Sequence, residues 1–341
     1  MDQKKNSGQP AGTERPTLKT IAFMTGLGIT TVSRALKDAP DIGAETKERV
    51  RMVARQLGYQ PNRAGVRLRT GKTNVIALVL SVDEEIMGFT SQMVFGISDV
   101  LTGTPYHLVV TPYSLSRDPL VPVRYVVDTA SADGIIISRI EPDDARVRLL
   151  TEHNLPFATH GRTENDLVHP YHDFDSEAYA REAVKALVDK GRRRIALLRP
   201  PSRLTYHGHT QIGFQTALHK YGAEEVPLRV NIDSPLPDIR DAIEALMRSS
   251  HAPDGIVSSS ASGAIAVNAG IEAAGLSVGR DVDVVSKQST EILNWISPRM
   301  ITCFEDVRHA GRELAKAVIG RIEGVDPAQL QSISSPEWPA G

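Results

Sequence analysis

From Val75 onward the chain repeats one texture, a short aliphatic or β-branched run followed by a helical pattern. The runs are VIALVLS (75–81), HLVVT (107–111), GIIIS (134–138), PFATH (156–160), RIALL (194–198), GIVSS (255–259) and VDVVS (282–286). Uninterrupted apolar strands alternating with helices predict parallel sheets covered on both faces. In SEAYAREAVKALVDKG (176–191), Ala180, Ala183, Val184, Leu187 and Val188 form the expected buried stripe, and Gly191 is the stop. Eight or more strands in roughly 270 residues exceed one ordinary sheet, so two α/β lobes are expected.

The residues before this region differ. Up to Lys72 there are 14 Lys and Arg against 6 Asp and Glu, a balance of +8, whereas the remainder carries −10. A basic head on an acidic body suits a chain that meets a polyanion at one end. Residues 1–16 lack periodicity and read as a disordered arm. Three short helical patterns follow. Thr17 is placed to cap the first, with Leu18, Ile21 and Ala22 on one face; Ile29, Val32, Ala35 and Leu36 mark the second; Val50, Val53, Ala54 and Leu57 mark a third, over about 44–57, closed by Gly58. So small a core suits a DNA-binding module better than an enzyme. Pro61 then interrupts the chain, and NRAGVRLRTGK (62–72) reads as a basic linker with at most two helical turns.

The stretch TGLGITTVSRAL (25–36) admits two readings. A dinucleotide-binding turn needs G-x-G-x-x-G between a strand and a helix. Here the third glycine is missing, and TLKTIAFM before Gly26 has helical periodicity. A helix-turn-helix instead needs a sharp turn, which Gly26 suits, before a helix whose polar face meets DNA. Thr30, Thr31, Ser33 and Arg34 lie opposite Val32 and Leu36; Arg can pair bidentately with guanine, and Ile29 can meet a thymine methyl.

TLKTIAFMTGLGITTVSRALK, followed by ETKERVRMVARQLGYQPNRAGVRLRTGKTNVIALV, resembles the LacI/GalR family of bacterial transcription regulators. The resemblance continues along the whole chain. It implies a small all-α helix-turn-helix head joined to a two-lobed α/β core like that of periplasmic sugar-binding proteins. The expected divisions are a helix-turn-helix domain at 17–61, a hinge helix at 62–71 and an effector core at 72–341. The first lobe would comprise 72–173 plus 303–325, and the second 174–302 plus 326–341. By the same resemblance Ile29, Thr30 and Arg34 read bases, Thr17, Thr31, Ser33, Asn62 and Arg63 support DNA contact, and Leu68 wedges into the minor groove. Gly28 stands in place of the usual Ser cap, and Gly65 in place of a common hinge Ala.

Open parallel sheets bind ligands at the carboxyl ends of their strands. The effector contacts expected there are Asp83, Phe89, Tyr113, Ser138, Arg139, His160, Arg162 and Asp173 in the first lobe. In the second they are Tyr206, His207, His209, Ser260 and Gln288, with Glu305 at the return crossover. Polar groups and aromatic faces of this kind suit carbohydrate. Three positions depart from the pattern of many relatives: Thr210 for an Arg, Ser260-Ala261 for Asn-Asp, and Ser286-Lys287-Gln288 for Gly-aromatic-Asp. A neutral sugar is favoured, while Arg139, Arg162 and Lys287 leave room for an acidic ligand.

The cluster HPYHDFD (169–175) with HGH (207–209) has metal-ligand residue types but matches no common closed site, so neither a metal nor a cofactor is expected. No G-x-S-x-G elbow, P-loop or paired catalytic carboxylates stand out, so the chain reads as a non-enzyme. Cys303 is the lone cysteine, the N-terminal residues have no secretory pattern, and no apolar stretch reaches membrane-spanning length, which together suggest a cytoplasmic protein. The expected function is a homodimeric repressor of carbohydrate uptake or catabolism genes, released from double-stranded operator DNA by its effector. The alternatives are an activator or corepressor-dependent regulator with a non-sugar or acidic effector, and a metal-dependent hydrolase. QLQSISSPEWPAG lacks heptads, so a coiled-coil tetramer is not expected.

Overall fold

The computed structural model describes residues 16–59, 71–81 and 88–339. The chain forms two units, divided after Thr73. In the head, α1 (Leu18–Thr25), α2 (Ile29–Leu36) and α3 (Ala44–Gln56) enclose a core built around Ile21, Val32, Ala35 and Val50. Thr17 and Thr20 form a reciprocal capping box at the start of α1, and Gly26 ends that helix at φ +66°. A side chain would be strained at that φ, so glycine makes the turn into α2. Gly28 caps α2 with no side-chain hydrogen bond, as the absence of a serine there requires.

The second unit contains two parallel sheets. The first lobe holds β1 (Val75–Ser81), α4 (Phe89–Leu101), β2 (His107–Tyr113), α5 (Leu120–Thr129), β3 (Gly134–Ser138), α6 (Ala145–Glu152), β4 (Phe157–His160) and β5 (Tyr171–Phe174). The chain then enters the second lobe through α7 (Ser176–Asp189), β6 (Arg194–Leu198), α8 (Thr205–Tyr221), β7 (Glu224–Val226), α9 (Leu236–Met247), β8 (Gly255–Ser258), α10 (Ala261–Ala273), β9 (Asp283–Gln288), α11 (Ile292–Ile296) and β10 (Ile301–Phe304). It returns with α12 (Val307–Ile322), a 3-10 turn at Pro327–Leu330 and β11 (Gln331–Ser334). The strand orders are β11-β5-β4-β3-β1-β2 and β10-β9-β8-β6-β7, all pairs parallel.

The uninterrupted apolar runs are explained by burial on both faces. Ile76, Leu78 and Leu80 of β1 face α4 and α12, whereas Ala77 and Val79 pack with residues of α5 and α6. In β6, Ile195 and Leu197 pack with α7 and α8, and Ala196 and Leu198 with α9 and α10. Helices α4 and α12 approach so closely that a Cβ on Gly96 would lie 2.0 Å from the Arg308 carbonyl oxygen, leaving no room for any side chain.

The expected lobe boundaries change at three places, the first by one residue, because β5 of the first sheet runs through Phe174. Strand β10 belongs to the second sheet, so the return crossover falls after Phe304 rather than at 303. Residues 327–334 lie in the first lobe, not the second, because β11 pairs with β5 and Leu330 joins the core beneath α12. The chain then passes back once more. Glu337 bridges to Phe304, and Trp338 stacks on Tyr179 at 6.1 Å between ring centroids. Three connections therefore join the lobes, the number expected, with the last of them displaced to the residues after Ser334. Among the described residues no helix is long and apolar enough to cross a membrane.

Candidate functional site

In the head, the hydrophobic positions of α2 turn Val32 and Ala35 inward, which leaves Ile29, Thr30 and Arg34 exposed and Thr31 and Ser33 half-buried. The Arg34 guanidinium lies 2.6 Å from Asp41 across the turn leading to α3, a pairing the sequence did not suggest. Asp38, in left-handed backbone at φ +60°, accepts from Lys47 and Arg51, which hold its carboxyl below the usual carboxylate range. The turn that follows α2 is thus fixed by charge. Asn62, Arg63 and Leu68 lie outside the described residues, as does the expected hinge helix.

In the core, a cleft of about 530 Å³ opens between the lobes at the carboxyl ends of the strands. It brings together Phe89, Ser138, Arg139, His160, Arg162 and Asp173 from the first lobe with Tyr206, Ser260 and Gln288 from the second, and Glu305 at the crossover. Asp83 lies outside the described residues. Three expected contacts do not line the cleft. Tyr113 turns into the core beside α5, and the next residues, Ser114 to Ser116, face the cleft instead. His207 sits 2.7 Å from the Pro200 carbonyl through Nδ1, and His209 lies 3.6 Å from Glu164 of the first lobe. One turn of α8 places both histidines away from the surface that Tyr206 reaches.

The end of β3 is built with care. Arg139 adopts left-handed backbone at φ +58°, which is strained for a residue with a side chain. The buried Arg146 side chain holds it there, donating to the Ser138 carbonyl at 3.1 Å and the Arg139 carbonyl at 2.8 Å. Arg146 is itself fixed by Asp144 at 2.6 Å, and Asp144 also caps α6. Burial opposes ionisation of Asp144, but Arg146 holds its carboxyl below the usual range. Sequence inspection picked out neither residue, since both are local to a loop and short helix with no ligand-facing signature.

Each cleft cation faces an acid. Arg139 pairs with Asp233, a residue absent from the expected set because its loop follows no predicted strand. Arg162 Nε lies 3.4 Å from Asp173. Lys287 Nζ lies 2.7 Å from Glu305 and over the rings of Phe174 and Tyr206, at 5.0 and 5.7 Å from their centroids. Burial raises the Asp173 pKa against the pull of Arg162 and the nearby histidines. Burial also opposes ionisation of Glu305, yet Lys287 and His160 hold it below the usual value.

The histidines of the HPYHDFD run have separate structural settings. His169 stacks on Phe157 and contacts Thr159 and Thr163, whereas His172 meets Ser332 through Nδ1 at 2.9 Å and packs edge-on to His309. Asp175 caps α7, accepting from the Ala178 amide. Among the described residues no group of three or more His, Cys, Asp or Glu is placed to hold a metal ion. Burial, and then repulsion from His160 and His309, lowers the His172 pKa to about 4. The unfolded chain takes up this proton near pH 6.5, so it binds more protons than the folded chain between 6.5 and about 4. Stability present above that window is lost as pH falls through it, by roughly 3 kcal/mol from this residue. Urea melts at pH 7 and 4.5 should therefore show a smaller acid loss in His172→Gln than in the parent.

A helix-turn-helix head joined to a core with a cleft between two parallel-sheet lobes is the architecture of a DNA-binding regulator. The lacI family model of bacterial regulatory proteins matches residues 17–62, and a periplasmic binding protein-like domain matches 184–338. The HTH-type transcriptional regulator AglR of Rhizobium meliloti is 29% identical over 317 residues, covering 89% of this chain and 87% of that relative. CelR of Thermobifida fusca is 27% identical over 333 residues, covering 93% and 95%. The Lac repressor dimer bound to operator and the anti-inducer ONPF superposes with a TM-score of 0.81 at 21% identity, over 95% of this chain and 97% of that one. A CelR–cellobiose complex gives 0.69 at 24% identity, over 96% and 99%. The chain carries a lacI-family helix-turn-helix domain and a periplasmic-binding-protein-like domain, and it is a DNA-binding transcriptional regulator.

Proposed function

We propose that this regulator is a homodimeric repressor of carbohydrate uptake or catabolism genes, released from its operator when a small sugar-like effector enters the cleft. Each subunit reads one half of a pseudo-palindrome through Ile29, Thr30 and Arg34, with Thr17, Thr31 and Ser33 supporting the contact. Asn62, Arg63 and Leu68 contribute at the centre. The observation that carries the effector reading is the cleft lining, which alternates serine hydroxyls with the aromatic faces of Phe89, Phe174 and Tyr206. Hydroxyl-rich ligands need that combination of polar partners and flat apolar surface. The cellobiose bound by a relative of the same fold supports it.

Closure of the cleft on ligand would displace one lobe against the other and alter the spacing of the two heads. The size of that population shift is limited by the effector's differential affinity for the two states. The test is a gel shift on operator DNA selected by the protein, titrated with mono- and disaccharides. Release at saturating sugar is the expected result; tightened binding would instead make the ligand a corepressor.

A further inference from the structure

The cleft carries three cations and three acids, arranged as pairs rather than as a patch of either sign. Arg139 of the first lobe faces Asp233 of the second, Arg162 faces Asp173, and Lys287 faces Glu305. Arg203 approaches the same Asp233 carboxylate at 3.5 Å and reaches Glu141 of the first lobe at 3.4 Å. The Arg139, Asp173 and Glu305 side chains are buried and that of Lys287 is partly buried. An anionic ligand entering this lining must either displace a carboxylate from its cation or rest against an acid. Displacement strands a buried charge, which is strongly unfavourable. An uncharged hydroxyl does neither, because it donates to a carboxylate oxygen while accepting from the guanidinium or ammonium beside it. Ser138, Ser234 and Ser260 extend the same two-way hydrogen bonding along the walls.

We propose that the cleft selects an uncharged saccharide over acidic or phosphorylated sugars, and that the Arg139–Asp233 pair is its specificity determinant. The proposal rests on the reading of the cleft as a carbohydrate effector site. The pair is singled out by its construction. Arg139 reaches Asp233 from left-handed backbone that Arg146 braces through two carbonyls, so the fold accepts local strain to set this cation against this acid. It is also the most buried cation of the three, with 3% of its side chain exposed, where an uncompensated charge matters most.

The experiment is calorimetric titration of the full chain with cellobiose, maltose, melibiose and sucrose, then with the 6-carboxylate and 6-phosphate derivatives of whichever binds best. The expected result is a neutral disaccharide that binds, with both acidic derivatives weaker by roughly 100-fold. In Asp233→Asn the Arg139 guanidinium loses its counter-charge while the shape is kept. The gap should narrow by at least about tenfold, chiefly through tighter binding of the acidic probes. An acidic derivative that matches or exceeds its neutral parent on the unaltered chain overturns the charge selectivity and leaves the carbohydrate reading standing. Selectivity unchanged in a folded Asp233→Asn protein overturns the assignment to this pair. Failure of every probe, neutral and acidic, to bind overturns the carbohydrate reading and this inference with it.

Discussion

Arg34→Ala is expected to abolish specific operator binding while leaving ligand affinity in the core unchanged. One bidentate arginine–guanine contact discriminates by about 1–3 kcal/mol. A symmetric dimer loses it at both half-sites, so about 2–6 kcal/mol is at stake. The head itself should survive. Alanine is a better helix former than arginine at this exposed position of α2, and the Arg34–Asp41 pair is about half-exposed on both sides, where ion pairs contribute little. Fluorescence anisotropy on operator and on scrambled duplex separates the losses, because weak sequence-independent binding should persist through the remaining basic residues. Full operator specificity in the variant would sink the assignment of α2 as the reading helix.

Arg146→Ala carries the second large effect, on stability. The Asp144 carboxylate would remain buried with no counter-charge, a change that typically costs about 3–5 kcal/mol. The consequence extends further, because the Ser138 and Arg139 carbonyls lose their donor and the strained end of β3 is freed. Melting temperature and effector affinity should therefore fall together. A double variant, Asp144→Asn with Arg146→Met, distinguishes the two contributions. It removes the stranded charge and should recover most of the stability, yet not the ligand affinity, since the carbonyls stay unbraced. Recovery of both would mean that Arg146 acts on the ligand site only through global stability.

The legible parts of this protein are those governed by periodicity. The runs at 75–81, 134–138 and 194–198 announce β1, β3 and β6 because burial on both faces demands unbroken apolar residues. Of the strands that escaped notice, β10 (ITCF) is buried but only four residues long, and the other three lie where that demand relaxes. YHDF in β5 contributes His172 and Asp173 to polar surroundings, EEV in β7 is an edge strand, and QSIS in β11 alternates between exposure and partial burial. Strand ends located most of the cleft, because side chains there point into the gap that parallel sheets leave. The rule fails at Tyr113, where a single-residue step along the strand changes the face. It fails also for Asp233, which arrives on a loop between β7 and α9 and meets Arg139 across 94 positions of sequence. No local pattern encodes that encounter.

The third passage between the lobes has a mechanical meaning. Two straps permit twisting as well as opening, like a door hung on a single loose pair of hinges. With Glu337 pinned to Phe304 and Trp338 laid on Tyr179, the last strap resists torsion and guides the lobes toward one mode of relative motion. A donor–acceptor dye pair with one label on each lobe should thus report a single opening coordinate, rather than a spread of twisted arrangements, when a ligand enters the cleft.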